Sequence, residues 1–204
     1  PVNLKNGKTS TFLGLNINNL EIFEDENSVR KVQAEKDSSI YITEKVNFDT
    51  DDPAIWIHPT DASKSIIIGT DKDTNGGLFA FDITGKIVNK VPNLKRPNNV
   101  DLRYGFVLNG QNIDIAALTE RETNKVKLYS LPELKEVGEF NVFDGEQQRS
   151  PMGISLYKNP ETQEIYAIVG RKTGPSGSYL WQYKLVEKEG KITGELVRKF
   201  GNFN

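Results

Sequence analysis

The chain has no cysteine, one histidine and one methionine among its 204 residues. Without cysteine there are no disulfide staples and no thiolate metal sites, and a single histidine cannot build a multi-histidine zinc centre. Any bound metal must therefore be held by oxygen ligands. Long hydrophobic runs are missing too. The longest aliphatic stretches, such as Ile66-Ile67-Ile68, are far too short to span a bilayer, so no membrane partner is expected. Charge of one sign is not in excess: 26 Lys and Arg face 28 Asp and Glu, for a net charge of -2. That balance gives no bulk attraction to nucleic acid and leaves partners to be inferred from local charge placement. The lack of cysteine does not fix the compartment, because a chain of this length can bury a core without crosslinks. The first residue is Pro1 rather than Met, which reads as a processed or trimmed start with any targeting peptide removed.

Helical periodicity is also scarce. Short β-branched and aromatic runs bounded by Gly, Pro, Asn and Asp recur instead, and they predict an all-β chain. The predicted strands are Ala54 to Ile57, Ile66 to Thr70, Gly77 to Asp82, Ile87 to Val91, Val100 to Tyr104, Asp114 to Thr119, Val126 to Ser130 and Val137 to Phe140, followed by Gly153 to Tyr157, Ile165 to Gly170, Tyr179 to Leu185 and Glu195 to Phe200. They fall into three similar groups: Ala54-Ile-Trp-Ile with Ile66-Ile-Ile, Val100-Asp-Leu-Arg with Ile115-Ala-Ala, and Gly153-Ile-Ser-Leu with Tyr166-Ala-Ile. The second members start at Ile66, Ile115 and Tyr166, steps of 49 and 51 residues. Four short antiparallel strands per period of about fifty residues is the pattern of a propeller blade, with a β-sandwich of coincidental spacing as the alternative.

Residues 1–45 do not follow the period. They are expected to form an N-terminal extension or closing strands, with Leu20 to Phe23 and Ser28 to Gln33 flanking a turn at Glu24 to Asn27. Residues 46–204 are expected to form the first blades of a partial propeller. Three blades leave two open edges, and a closed ring usually needs four or more, so further blades are expected as partners.

One basic residue recurs at a fixed place in each repeat. Counting six from the start of the second strand leads from Ile66 to Lys72, from Ile115 to Arg121 and from Tyr166 to Lys172. Equivalent positions in successive blades share one end of a propeller, so these cations are expected to gather at one mouth, where they suit a polyanion. Solvated loop charge is the alternative in a chain that is 26% charged. A second pattern is Asp51-Asp52-Pro53 before one first strand and Asn98-Asn99-Val100-Asp101 before the next. Carboxylates, an amide oxygen and a backbone carbonyl in such turns are the hard donors calcium prefers, although the same residues are ordinary turn formers.

Other motifs carry less. His58, in Ile-His-Pro, has no nucleophile or acid beside it and reads as structural. Gly170-Arg-Lys-Thr-Gly lacks the Gly-Lys order and following helix of a nucleotide loop. No Gly-x-Ser-x-Gly elbow occurs. Trp56, Trp181, Phe79, Phe81, Tyr129 and Tyr183 read as packing between blades. No catalytic residue can be assigned.

Asp51-Asp-Pro-Ala-Ile-Trp, Asn98-Asn-Val-Asp-Leu-Arg-Tyr, Leu108-Asn-Gly, Asp114-Ile-Ala-Ala and Gly153-Ile-Ser-Leu-Tyr together resemble the β-propeller phytases, in order and in spacing. The resemblance runs from about residue 49 to the C terminus and matches the first half or so of the family domain. It implies about three four-stranded blades of a six-bladed propeller, in a secreted, extracellular or periplasmic, protein that hydrolyses phytate with Ca2+. Lys72, Arg121 and Lys172 match phosphate-contacting cations of the family. Asp51 and Asp52 match its acidic pair at the calcium-rich mouth, and Asn99 and Val100 lie in its second calcium-lining turn. Three positions depart from the pattern: Asp73 stands where a second lysine is usual, Met152 where a phosphate-binding tyrosine is usual, and Thr173 at an acidic position. The resemblance implies that the family's later blades, with most of its acidic calcium ligands and acid/base groups, are not among these residues, so the chain is expected to be either a fragment of a longer one or an incomplete phytase-like domain of a tandem enzyme. The expected partners are phytate or another phosphorylated small molecule, with either the remaining blades or a second phytase domain. A non-catalytic phosphate-binding module of a tandem-domain phytase is the alternative reading.

Overall fold

The computed structural model describes residues 2–3, 9–10, 41–147 and 149–202. The hairpin expected around Glu24 to Asn27 lies outside these. Among the described residues there is no α-helix, and a 3-10 turn spans Ala62–Lys64. The chain divides into two units, residues 1–40 and 41–204. In the first, β1 (Val2–Asn3) pairs antiparallel with β2 (Thr9–Ser10).

The second unit is three consecutive four-stranded antiparallel meanders. The first comprises β3 (Thr50–Trp56), β4 (Ile66–Asp71), β5 (Gly76–Asp82) and β6 (Ile87–Leu94), in that order across the sheet. Next come β7 (Pro97–Leu108), β8 (Gln111–Glu120), β9 (Lys125–Leu131) and β10 (Glu136–Asn141). The third holds β11 (Pro151–Lys158), β12 (Ile165–Arg171), β13 (Leu180–Lys188) and β14 (Lys191–Phe200). A single parallel pair, Gly138 opposite Ile192, joins the outer strands of the second and third meanders into one eight-stranded mixed sheet. Glycine is required at that junction, because a Cβ on residue 138 would lie 2.0 Å from the Ile192 carbonyl oxygen. The tight turns are written locally. Asn109-Gly110, both at positive φ (50° and 73°), closes the β7–β8 hairpin as a two-residue turn requires.

Strand alternation decides how the meanders stack. Ile66, Ile68, Leu78 and Ala80 leave one face of the first meander and meet Val100, Leu102, Ala116, Leu118 and Tyr129 of the second, around Trp56. From the other face of the second, Ile115, Ala117, Val126 and Leu128 meet Leu156, Ala167, Val169, Trp181 and Tyr183 of the third. Each fully buried Ile or Leu here contributes about 1.5–3 kcal/mol. Phe79 and Phe81 depart from the expected packing: they stack on each other, centroids 6.3 Å apart, and belong to neither cluster. Because both clusters sit between successive meanders, the inner strand β7 is packed against both β3 and β11. The three strands that carry the Asp51, Asn98 and Met152 region are therefore neighbours.

The pairing register repeats. Each inner strand is irregular at an equivalent place, between Thr50 and Pro53, between Pro97 and Val100, and between Pro151 and Ile154. Their partners are Asp71, Glu120 and Arg171 respectively. This makes Asp51, Asn98 and Met152 structurally equivalent, and likewise Lys72, Arg121 and Lys172.

Candidate anion-binding mouth

The residue after each second strand is held by the same backbone hydrogen bond. Lys72 N–H donates to the Asp49 carbonyl (2.7 Å), Arg121 N–H to the Arg96 carbonyl (3.0 Å), and Lys172 N–H to the Ser150 carbonyl (3.0 Å). In every case the acceptor is the residue just before the inner strand. The three cations therefore leave the sheet at one end and in one local frame.

Beneath them lies a row of buried charge that the sequence reading missed. Asp71 is 1% exposed and accepts from the N–H groups of Asn47, Phe48 and Asp49 at 3.2, 3.1 and 2.8 Å. Glu120 accepts from Lys95 N–H (2.7 Å) and from the Thr123 hydroxyl. Arg171, fully buried, pairs with Glu146 (3.1 Å) and donates to the Ser178 carbonyl (2.9 Å). All three hold chain segments beside their strand ends, and a buried charge is tolerated there because hydrogen bonds satisfy it. The signal was available, since each stands directly before its cation at the same repeat offset.

Successive meanders are also latched. Thr70 Oγ1 donates to the Asn98 carbonyl (2.6 Å), and Thr119 Oγ1 donates to the Met152 carbonyl. One equivalent hydroxyl thus fixes the next meander's mouth residue each time. Gly170 occupies the corresponding place in the third.

The residues expected at the mouth behave unequally. Lys72 Nζ meets Asp51 Oδ1 at 2.5 Å and Asp49 Oδ2 at 3.3 Å, and the hydrogen bond to Asp51 raises its pKa against a smaller opposing effect of burial. Asp52 Oδ2 accepts from Val100 N–H at 2.9 Å, which joins the two expected calcium-lining turns. Asn99 is half-buried beside it. Arg121 is half-buried, and its Nη2 touches the Met152 sulfur. Burial first, and then the neighbouring Arg96 charge, push its pKa down, with Asp51 and Glu122 acting in the opposite sense. Lys172 makes none of these side-chain contacts and is exposed. Asp73 closes its turn by accepting from Asn75 N–H (3.2 Å) through its carboxylate and from Gly76 N–H (2.9 Å) through its carbonyl. His58 Nδ1 accepts from Thr60 and Asp61 N–H at 3.3 and 3.1 Å, a turn-capping role.

For calcium, the fit is that of an oxygen-only donor set. Asn98 is 1% exposed and its Oδ1 has no hydrogen-bond partner, an uncommitted hard donor between Asp52 and Met152. Among the described residues no group of three or more His, Cys, Asp or Glu is placed to hold a metal, so carboxylates alone do not form a cage here.

Cations and oxygen donors are thus collected at one end of a sheet protein made of repeated meanders. The chain belongs to the phytase family, whose model matches residues 10–203. It is 38% identical over 157 residues to a 3-phytase of Bacillus subtilis (strain 168), an alignment covering 74% of this chain and 39% of that relative.

Proposed function

We propose that this chain is the phosphate-gripping part of a calcium-dependent phytase, its three meanders being blades of a six-bladed propeller. The observation that carries the reading is the threefold repeat of one cation in one backbone frame, Lys72, Arg121 and Lys172, in a member of this family. Three cations on adjacent inner turns suit a substrate with several phosphates: Arg121 offers a fork of donors, and the lysines act as point charges. Asp51 and Asp52, the Asn99 amide and the Val100 carbonyl are the groups of this chain that would hold calcium. When bound, the ion supplies charge neutralisation at phosphoryl oxygens. The chain's own contribution is binding and orientation of phosphate. A low-affinity oxygen site is at home where calcium is abundant, which supports a secreted, extracellular or periplasmic, setting.

Calcium-dependent release of phosphate from phytate by the purified chain tests this directly, and release no higher than a buffer blank rejects catalysis by these residues alone. A second reading, a module that binds phosphate without cleaving it, is favoured by the Lys72–Asp51 ion pair and by the Met152 sulfur against Arg121. Calorimetry with phytate, with and without calcium, separates the two: heat of binding without turnover supports the module.

A further inference from the structure

Arg96 was not singled out by any motif, yet its place in the fold is unusual. It stands immediately before β7, and its carbonyl receives the Arg121 N–H at 3.0 Å while its own N–H donates to the Asp73 carbonyl at 2.9 Å. The first bond sets it at the base of Arg121, and the second ties it to the turn that follows Lys72. Its φ is +57°, a left-handed conformation that a side chain other than Gly or Asn rarely adopts and that costs roughly 1 kcal/mol or more. Ser150, at the equivalent place before β11, also has a positive φ (30°), so the conformation belongs to the strand entry and a glycine would adopt it with less strain.

Both guanidiniums also have an unsatisfied donor. The Nε atoms of both Arg96 and Arg121 are buried without a hydrogen-bond acceptor, and among the described residues no carboxylate forms an ion pair with either. Asp51 and Glu122 act on Arg121 only from a distance. The nearest soft contact is the Met152 sulfur, which touches Arg121 Nη2 and receives Asn98 Nδ2 at 3.4 Å. A thioether is a weak acceptor, and it does not repay the desolvation of a cation. Two arginines joined through their main chains, one charge acting on the other and both Nε–H donors unspent, are the chemical complement of a dianion with several acceptor oxygens.

We propose that Arg96 and Arg121 together form a seat for one phosphoryl group, Arg96 being a second phosphate-binding guanidinium at the junction of the first and second meanders. This rests on the phosphate-binding reading above and adds a residue and a subsite to it. Arg121 supplies donors from the strand end, Arg96 from the turn beneath, and the Met152 sulfur yields its contact to the incoming oxygens.

The test follows the arginine Nε–H signals by heteronuclear NMR while the wild-type chain is titrated with inorganic phosphate, alongside calorimetry on Arg96→Gly and Arg96→Lys. The expected result is that both Nε–H signals move with one binding curve. Arg96→Gly is expected to weaken phosphate binding tenfold or more while its melting temperature holds or rises, because glycine relieves the positive φ. Arg96→Lys keeps a point charge and recovers part of the affinity. Unmoved Nε–H signals, or wild-type phosphate affinity in Arg96→Gly, would overturn the seat. If phosphate moves both signals but phytate binds no tighter than phosphate and is not cleaved, the phytase reading fails while the seat stands.

Discussion

The two ends of the strands treat charge in opposite ways. At the mouth, Asp71, Glu120 and Arg171 are buried and bonded to the chain segments beside them, and Arg96 and Arg121 are half-buried with no carboxylate paired to them among the described residues. At the far end, between the second and third meanders, lies a groove of about 590 Å3 lined by Phe106, Val107, Lys158, Glu164, Lys184 and Leu185. Its lysines are already satisfied: Lys184 pairs with Glu164, and Lys158 donates to the Tyr104 and Gly105 carbonyls at 3.0 and 3.2 Å. The charges lining this hollow are paired, whereas at the mouth the Nε–H donors of Arg96 and Arg121 have no acceptor. Affinity for an anion follows uncommitted charge rather than volume, because a paired lysine must lose one partner to gain another.

That contrast can be broken at either end. The largest effect is expected from Arg171→Met, which leaves Glu146 without its buried partner: about 3 kcal/mol of stability lost, read as a shifted denaturant midpoint at unchanged m-value. A cost under a third of that would mean the mouth-end charges are no more structural than surface ones. Asp71→Ala should follow at about 2 kcal/mol, since three N–H groups lose a charged acceptor and recover only part of it from water. Hydrogen exchange at residues 47–49 should accelerate with it. Thr119→Val removes one latch to the Met152 carbonyl and should cost about 1 kcal/mol. Its second signature, disturbed Nε–H signals of Arg121, would tie the latch to the mouth.

The smallest effect belongs to the far end. Glu164 is held at about 2, below its ordinary 4.5, by hydrogen bonds from Lys184 and Tyr166. A carboxyl with a lowered folded-state pKa contributes stability that is present above about pH 4.5 and lost as the pH falls towards 2. Lys184→Ala should therefore flatten the melting temperature against pH in that window, by a small drop at pH 7 that vanishes towards pH 2, and leave phosphate affinity unchanged. A fall in phosphate affinity would reverse the comparison and make the groove the anion site.

Much of the frame was legible because strands, turns and repeats are local. Ile66-Ile-Ile, Asn109-Gly110 and the spacing of Lys72, Arg121 and Lys172 could be read without neighbours, and the paired register puts these cations at equivalent places. Which cations are uncommitted could not be read. Lys72 and Arg121 look alike in the repeat, but one is neutralised by Asp51 and the other faces Arg96, a residue 25 positions away that carried no repeat signal. Phe79 and Phe81 look like Trp181 and Tyr183 in alternation, yet they pack on each other outside both clusters.

By itself the sequence determined an all-β chain of repeated meanders, the absence of any thiolate ligand and one cation per repeat, since these follow from residue types and from intervals along the chain. The tertiary structure alone decided which charges are buried as fasteners and which keep their donors. That depends on the stacking of one meander on the next, which brings together side chains far apart in sequence and strips the water from some of them.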